Sequence, residues 1–93
     1  MPSVTAKVLF FGRLKEITGI AEDAVELASG DAGSGLREGA AIDNLFAHYA
    51  ERCPKLAPFR ASVVASRNRE FAAWDTPVHA GDEIAFLPPV SGG

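Results

Sequence analysis

The sequence predicts an α+β domain in which one main helix packs on one face of a mixed sheet of four to five strands. Three observations support this: an alternating apolar segment near the start, an amphipathic helical segment in the middle, and short apolar segments between turn residues after it. The chain has 93 residues, of which 47% are hydrophobic and 23% charged, as in ordinary globular domains. This length predicts one domain with its own apolar core.

The first predicted strand covers residues 4–11, where apolar side chains alternate between two faces. Val8 and Phe10 share the face that we expect to meet the helix. Leu9 and Phe11 then lie on the opposite face, because successive side chains of a strand point to opposite sides.

Three shorter features precede the main helix. Residues 14–19 are expected to form one or two helical turns that end at Gly19, and residues 24–28 a second strand. A glycine-rich loop follows over residues 29–40, with a brief turn expected at residues 36–37.

The main helix is predicted by apolar residues at intervals of three and four positions. Asp43 in its first turn and Arg52 in its last suit the helix dipole, and Pro54 ends the helix. Its apolar stripe consists of Ile42, Leu45, Phe46, Tyr49, Ala50 and Cys53.

After a connection over residues 55–60, strands are expected at residues 61–66, 71–74 and 83–87, the first two separated by a turn at 67–70. Two prolines end the last strand because neither can donate to a ladder. One helix between two groups of strands is the order of a β-grasp roll.

Charge and composition exclude several classes of protein. Nine basic and 12 acidic residues give a net charge of -3, whereas nucleic-acid-binding proteins normally have a basic excess. No apolar run approaches the roughly 20 residues of a membrane span, and the first residues lack the pattern of a signal peptide. A single cysteine cannot form an internal disulfide. We therefore expect a cytoplasmic protein with neither nucleic acid nor membrane as a partner.

Residues that could carry catalysis are few. His48 and His79 have no metal ligand at a suitable spacing, so no bound metal is expected. Cys53 continues the apolar stripe and is interpreted as a small core residue rather than a reactive thiol. Asp82 and Glu83 are neighbours in a strand and point to opposite faces, which argues against a catalytic pair.

Two further motifs have simple structural interpretations. The glycines of residues 33–39 match neither the phosphate-binding P-loop nor the dinucleotide fingerprint, so this segment is interpreted as a loop. Arg67 and Arg69 are interpreted as a solvated turn rather than a nucleic-acid patch.

The C-terminal segment is the most informative part of the chain. Residues 1–87 are expected to form the β-grasp domain, and residues 88–93 an extended tail with the sequence Pro-Pro-Val-Ser-Gly-Gly. The prolines favour an extended exit from the sheet, and six extended residues span roughly 20 Å. Two glycines leave the last atoms without side chains, so the α-carboxylate can enter a narrow channel on another protein.

These residues resemble a known family. Residues 82–93 are similar to the C-terminal signature of the small subunit of molybdopterin synthase, a ubiquitin-like sulfur carrier. Residues 8–12 and 14–19 match its first strand and first helix. The resemblance covers nearly the whole chain, and the long loop at 29–40 and the tripeptide at 66–68 depart from the family pattern.

The resemblance implies a carrier rather than an enzyme. In the family, an E1-like adenylating enzyme uses ATP to activate the terminal carboxylate, and a sulfur-donor protein supplies the sulfur of a thiocarboxylate. The large synthase subunit then uses that sulfur to form the dithiolene of molybdopterin. By resemblance, Gly93 is the reacting residue, the chain itself binds no cofactor, and tail insertion involves Pro88, Pro89, Val90, Ser91 and Gly92.

Other functions remain open on the sequence. A carrier of the same chemistry could serve thiamine synthesis, cysteine synthesis or tRNA thiolation. A ubiquitin-like modifier would join Gly93 to lysines of other proteins. A β-grasp interaction module would leave the tail unused.

The strand pattern also predicts a docking surface. If the sheet face opposite the helix is not covered by the chain's own loops, then Phe11, Leu87 and Phe71 form an apolar patch beside the tail. Because exposed apolar patches often mark interaction sites, we expect this patch to bind both the activating enzyme and the large subunit.

Overall fold

Strand β1 (Thr5–Phe10) lies inside a mixed sheet, antiparallel to β2 (Glu22–Ala28) and parallel to β6 (Glu83–Leu87). The computed structural model describes residues 5–28 and 36–88. The strand order is β3-β2-β1-β6-β4-β5. The remaining elements in chain order are α1 (Arg13–Thr18), β3 (Leu36–Arg37), α2 (Ile42–Arg52), a 3₁₀ helix (Pro54–Phe59), β4 (Val64–Arg67) and β5 (Glu70–Phe71).

This arrangement confirms the predicted β-grasp fold, with two corrections. The described residues form six strands rather than four or five, because residues 36–37 form β3, parallel to β2, instead of the expected turn. The expected connection at 55–60 is largely a 3₁₀ helix over Pro54–Phe59. Both errors have the same cause: a two-residue strand and a six-residue 3₁₀ helix are too short to show a periodic pattern.

The core lies between the sheet and α2. Ala6, Val8 and Phe10 of β1 are at most 1% exposed, which confirms the predicted orientation of this strand. The stripe of α2 contributes buried Ile42, Leu45, Phe46 and Tyr49, whereas Ala50 and Cys53 are half-buried. Burying one such large apolar side chain contributes about 1.5–3 kcal/mol.

The aromatic side chains join these layers. Phe10 meets Tyr49 edge to face with ring centroids 5.1 Å apart, and Phe46 meets Phe86 at 5.3 Å. Since Phe86 is in β6, the strand that leads to the tail is anchored to α2 through its ring.

Glycines set both ends of α1. Gly12 has φ +56° at the start of α1, and Gly19 has φ +73° at its end, where its N–H donates to the carbonyl of Lys15 at 2.8 Å. Both conformations lie where residues with a side chain are strained. The predicted short helix ending at Gly19 is confirmed.

Candidate functional site

The sheet face that points away from α2 carries a concentration of exposed apolar side chains. Phe11 is 45% exposed, Val64 39% and Phe71 82%. The register places Val64 and Phe71 on one face, because Val64 is opposite Leu87 and Ser66 is opposite both Ala85 and Phe71. The described loops therefore leave this part of the face uncovered.

The three residues predicted from the sequence as a docking patch line one groove. Its volume is about 410 Å³, and Phe11, Phe71 and half-buried Leu87 all line it. Leu9 and Ala85, side by side on β1 and β6, also face it. We call this surface the sheet groove. The structure brings the predicted residues together, and their role in binding a partner stays a prediction.

The sheet groove adjoins the start of the tail. Leu87 is the last residue of β6, and half-buried Pro88 follows it directly. Pro88 contacts the turn after β1, since a Cβ atom on Gly12 would lie only 2.9 Å from Pro88 Cγ. The turn is tied to β6 by the Phe11 N–H, which donates to the carbonyl of Phe86 at 3.2 Å.

The other tail residues predicted to act lie outside the described residues. These are Pro89, Val90, Ser91, Gly92 and Gly93. The division of the chain into a domain at 1–87 and a tail at 88–93 therefore stays a prediction, as does the role of Gly93.

The hairpin turn beside the groove is held by an asparagine that the sequence analysis did not single out. Asn68 and Arg69 have φ of +53° and +72°. The Asn68 N–H donates to the carbonyl of Glu83 at 2.7 Å, and the Glu83 N–H donates to Asn68 Oδ1 at 2.9 Å. Asn68 Nδ2 donates to Asp82 Oδ1 at 3.1 Å. Asparagine in a turn between two strands was a signal for this role, because it tolerates positive φ and bonds to nearby backbone.

Asp82 belongs to the same network. Partial burial acts to raise its pKa, but hydrogen bonds from the His79 N–H and the Asn68 side chain, with the nearby charges of Arg67 and His79, hold the pKa below its ordinary value. The Asp82 carboxylate is thus a structural acceptor. Glu83 instead lines the sheet groove, so the two neighbouring carboxylates do not form a pair, as predicted.

The remaining candidates from the sequence lie apart from the groove. His79 Nδ1 is 3.9 Å from Glu38 Oε2, and His48 is half-buried on α2. The thiol of Cys53 donates to the carbonyl of Ile17 at 3.3 Å, so this cysteine is a half-buried packing residue rather than a fully buried one. In the part of the chain that the structure describes, no three His, Cys, Asp or Glu residues are grouped as for a metal ion.

A second cleft runs between α1, β2 and α2. It has a volume of about 750 Å³ and is lined in part by Tyr49, Arg52 and Cys53. The Tyr49 hydroxyl donates to Asp23 Oδ2 at 2.8 Å. Burial, that hydrogen bond and the negative charge of Asp23 all raise the pKa of Tyr49. The hydroxyl is therefore a fixed donor that ties α2 to β2.

The chain was compared with known protein families. Residues 8–93 match the ThiS family. The chain belongs to the ThiS family. The match includes the residues that line the sheet groove and the C-terminal segment. Neither α-helix within residues 5–28 and 36–88 combines the length and hydropathy of a membrane-spanning helix.

Relatives of this ThiS-family chain are named as sulfur carrier subunits of molybdopterin synthase, the family that the sequence resembles. The molybdopterin synthase sulfur carrier subunit of Escherichia coli is 34% identical over 89 residues, covering 94% of this chain and 98% of the relative. The Arabidopsis thaliana protein of the same name is 33% identical over 91 residues, covering 98% of this chain and 85% of the relative. The resemblance to the small subunit of molybdopterin synthase is thereby confirmed.

Solved structures support the same fold. A provisionally named molybdopterin converting factor subunit 1 from Pyrococcus furiosus has a TM-score of 0.73 at 27% identity, covering 95% of this chain and all of that chain. Small archaeal modifier protein 1 from Methanosarcina acetivorans has a TM-score of 0.74 at 21% identity, with both chains covered completely.

Proposed function

We propose that this ThiS-family chain is the sulfur carrier subunit of a molybdopterin synthase. The observation that carries the proposal is the position of Leu87. This residue lines the uncovered sheet groove and is the last strand residue before the tail. A protein that covers the groove therefore also receives the tail.

The chemistry is a transfer through the terminal carboxylate of Gly93. A carboxylate is a poor electrophile, so an E1-like enzyme first joins it to the α-phosphate of ATP, with release of pyrophosphate. A hydrosulfide equivalent from a sulfur-donor protein then attacks the acyl carbon, and AMP leaves. The product is a thiocarboxylate, whose sulfur passes to the molybdopterin precursor as water restores the carboxylate.

The roles of the tail residues follow from their size and stiffness. Gly93 carries the reacting group, and Gly92 gives clearance in a narrow channel. Proline residues favour an extended backbone, so we propose that Pro88, Pro89, Val90 and Ser91 give the tail the reach to enter a partner's channel. ATP is consumed by the activating partner, and this chain binds no cofactor of its own.

The partners are the large synthase subunit, the activating enzyme and the sulfur donor. The names of the curated relatives support the first of these, because they are subunits of molybdopterin synthase. The apolar sheet groove supports a protein partner rather than nucleic acid, since its lining has one cation among the described residues. A cytoplasmic location fits this pathway and stays a prediction.

Intact-mass measurement tests the central step. After incubation with the activating enzyme, ATP and a sulfide source, we expect the mass of the chain to rise by the difference between sulfur and oxygen. Deletion of Gly93 should abolish that rise without changing the circular dichroism spectrum. The matched variant Gly92→Val keeps the carboxylate but should slow its modification. A Gly93 deletion that still gained sulfur would refute the proposal.

Other outcomes would identify the alternatives. Conjugates of higher mass that depend on Gly93 would indicate a protein modifier. Formation of thiocarboxylate with no molybdopterin product on addition of the large subunit would indicate a carrier for thiamine, cysteine or tRNA thiolation. Sulfur mobilisation or ATP hydrolysis by the purified chain alone would contradict the carrier role.

A further inference from the structure

Glu83 places a carboxylate in the sheet groove, whose lining is otherwise mainly apolar. Among the described residues that line it, Glu83 is the one anion and Arg69 the one cation. The Glu83 side chain is only 28% exposed, and it lies in β6 between Lys7 of β1 and Asn68, which follows β4. A partner that covers the groove removes the remaining water from this carboxylate.

Removing water from a carboxylate is unfavourable unless a cation replaces the lost hydration. Lys7 is opposite Glu83 on β1, but its Nζ lies 3.8 Å from the Glu22 carboxylate on the other side of the strand. Arg69 Nε lies 3.6 Å from Glu83 Oε1, while its own side chain is 89% exposed. In the free chain this open ion pair contributes little, because water screens it.

The backbone holds Arg69 in this place. Arg69 has φ +72° in the turn between β4 and β5, and the preceding Asn68 exchanges two hydrogen bonds with the backbone of Glu83. The turn that carries the cation is thus tied to the residue that carries the anion. The distance between the Arg69 guanidinium and the Glu83 carboxylate is therefore set partly by the backbone and not by the long Arg69 side chain alone.

We infer that Arg69 is the counter-ion of Glu83 in the docked complex and that it selects a partner surface that is apolar and uncharged opposite Glu83. The inference rests on the proposed function and deepens it. When the large subunit covers the sheet groove, the Arg69 guanidinium closes over the Glu83 carboxylate and the pair becomes neutral as a unit. The occupant therefore needs no cation of its own at this point.

A double-mutant cycle on affinity for the molybdopterin synthase large subunit tests this inference. We expect Arg69→Gln to weaken binding by about tenfold or more, because it leaves Glu83 covered without a partner. Glu83→Gln should change affinity by less than about threefold, and adding it to Arg69→Gln should restore affinity to near the wild-type value. Arg37→Gln, which removes the same charge at the far edge of the sheet, is the matched control and should have no effect.

The stability of the free chain separates this role from a structural one. The Arg69 side chain is 89% exposed, and water screens its pair with Glu83 in the free chain, so the denaturation midpoints of all four proteins should agree closely. Unchanged affinity of Arg69→Gln would overturn the inference. So would a double variant as weak as Arg69→Gln, because Arg69 would then bind a carboxylate of the large subunit instead.

Phe71→Ala distinguishes failure of the inference from failure of the proposed docking surface. If Phe71→Ala weakens binding and Arg69→Gln does not, the counter-ion role alone is wrong. If neither variant weakens binding, or the unmodified chain does not bind the large subunit at all, the docking surface and the inference are both wrong.

Discussion

The Arg60 guanidinium lies 3.6 Å from the centre of the Trp74 ring, and the Phe86 ring is nearly parallel to the Trp74 ring at 6.0 Å. Arg60 Nε also donates to Asp43 Oδ1 at 2.9 Å in the first turn of α2. This arrangement attaches the segment before β4 to the helix and to the strand that leads to the tail.

We predict that Arg60→Ala lowers the free energy of unfolding by about 1 kcal/mol, because it removes a cation–π contact and a partly exposed ion pair. The chain has one tryptophan, so its fluorescence reports this site directly during denaturation. Asp43→Asn, which keeps the stack on Trp74, should have a smaller effect. Equal losses in the two variants would show that the ion pair, and not the stack, matters.

Leu87→Glu should weaken binding to both the activating enzyme and the large subunit, because it places a charge in a contact that loses water on docking. The side chain is half-buried, so the folded state should persist. Binding can be measured by calorimetry and folding by circular dichroism. Ala47→Glu adds a carboxylate at an exposed position of α2, on the other side of the sheet from the groove, and should leave both affinities unchanged. Equal affinity of the Leu87→Glu and wild-type chains would remove the sheet groove as the docking surface.

The lowered pKa of Asp82 predicts that the free energy of unfolding falls in acid. Its pKa is lower in the folded chain than in the unfolded chain, where it is about 3.9. The stabilisation is therefore complete above pH 3.9 and is lost as pH falls through the folded-state value. Asp82→Asn should be less stable at neutral pH and should lose less stability on acidification, as measured by denaturant unfolding. Glu70→Gln, at an exposed carboxylate of the neighbouring hairpin, should keep the acid dependence of the wild-type chain.

The raised pKa of Tyr49 predicts that the free energy of unfolding falls in alkali. Its pKa is raised in the folded chain, so the stabilisation is complete below the ordinary tyrosine value of about 10 and is lost as pH rises above it. Tyr49→Phe should lower the free energy of unfolding by about 1 kcal/mol at neutral pH by removing the hydrogen bond to Asp23. It should also abolish the alkaline loss, measured by unfolding between pH 8 and pH 11. An alkaline loss that persisted in Tyr49→Phe would assign it to another group.

The main elements of this protein follow from local patterns in the sequence. Alternation along β1 gave the correct buried face, and the spacing from Ile42 to Tyr49 gave α2, because each pattern repeats over several residues of one element. Parity in β1 and β6 also placed Leu87 and Phe11 on the face away from the helix. The Gly-Gly end was the chemical signal for a carrier, and family membership supports it.

Features that depend on residues far apart in the chain follow from strand pairing and could not be predicted from local patterns. Strand β3 exists because β2 offers it an edge, and two residues have no pattern of their own. Asn68, which follows β4, meets Glu83 of β6, although the two residues are 15 positions apart in sequence. The same pairing brings Arg69 to Glu83 and leaves Phe71 exposed beside Leu87. Local periodicity determines which way a side chain points, whereas strand pairing determines which side chains become neighbours.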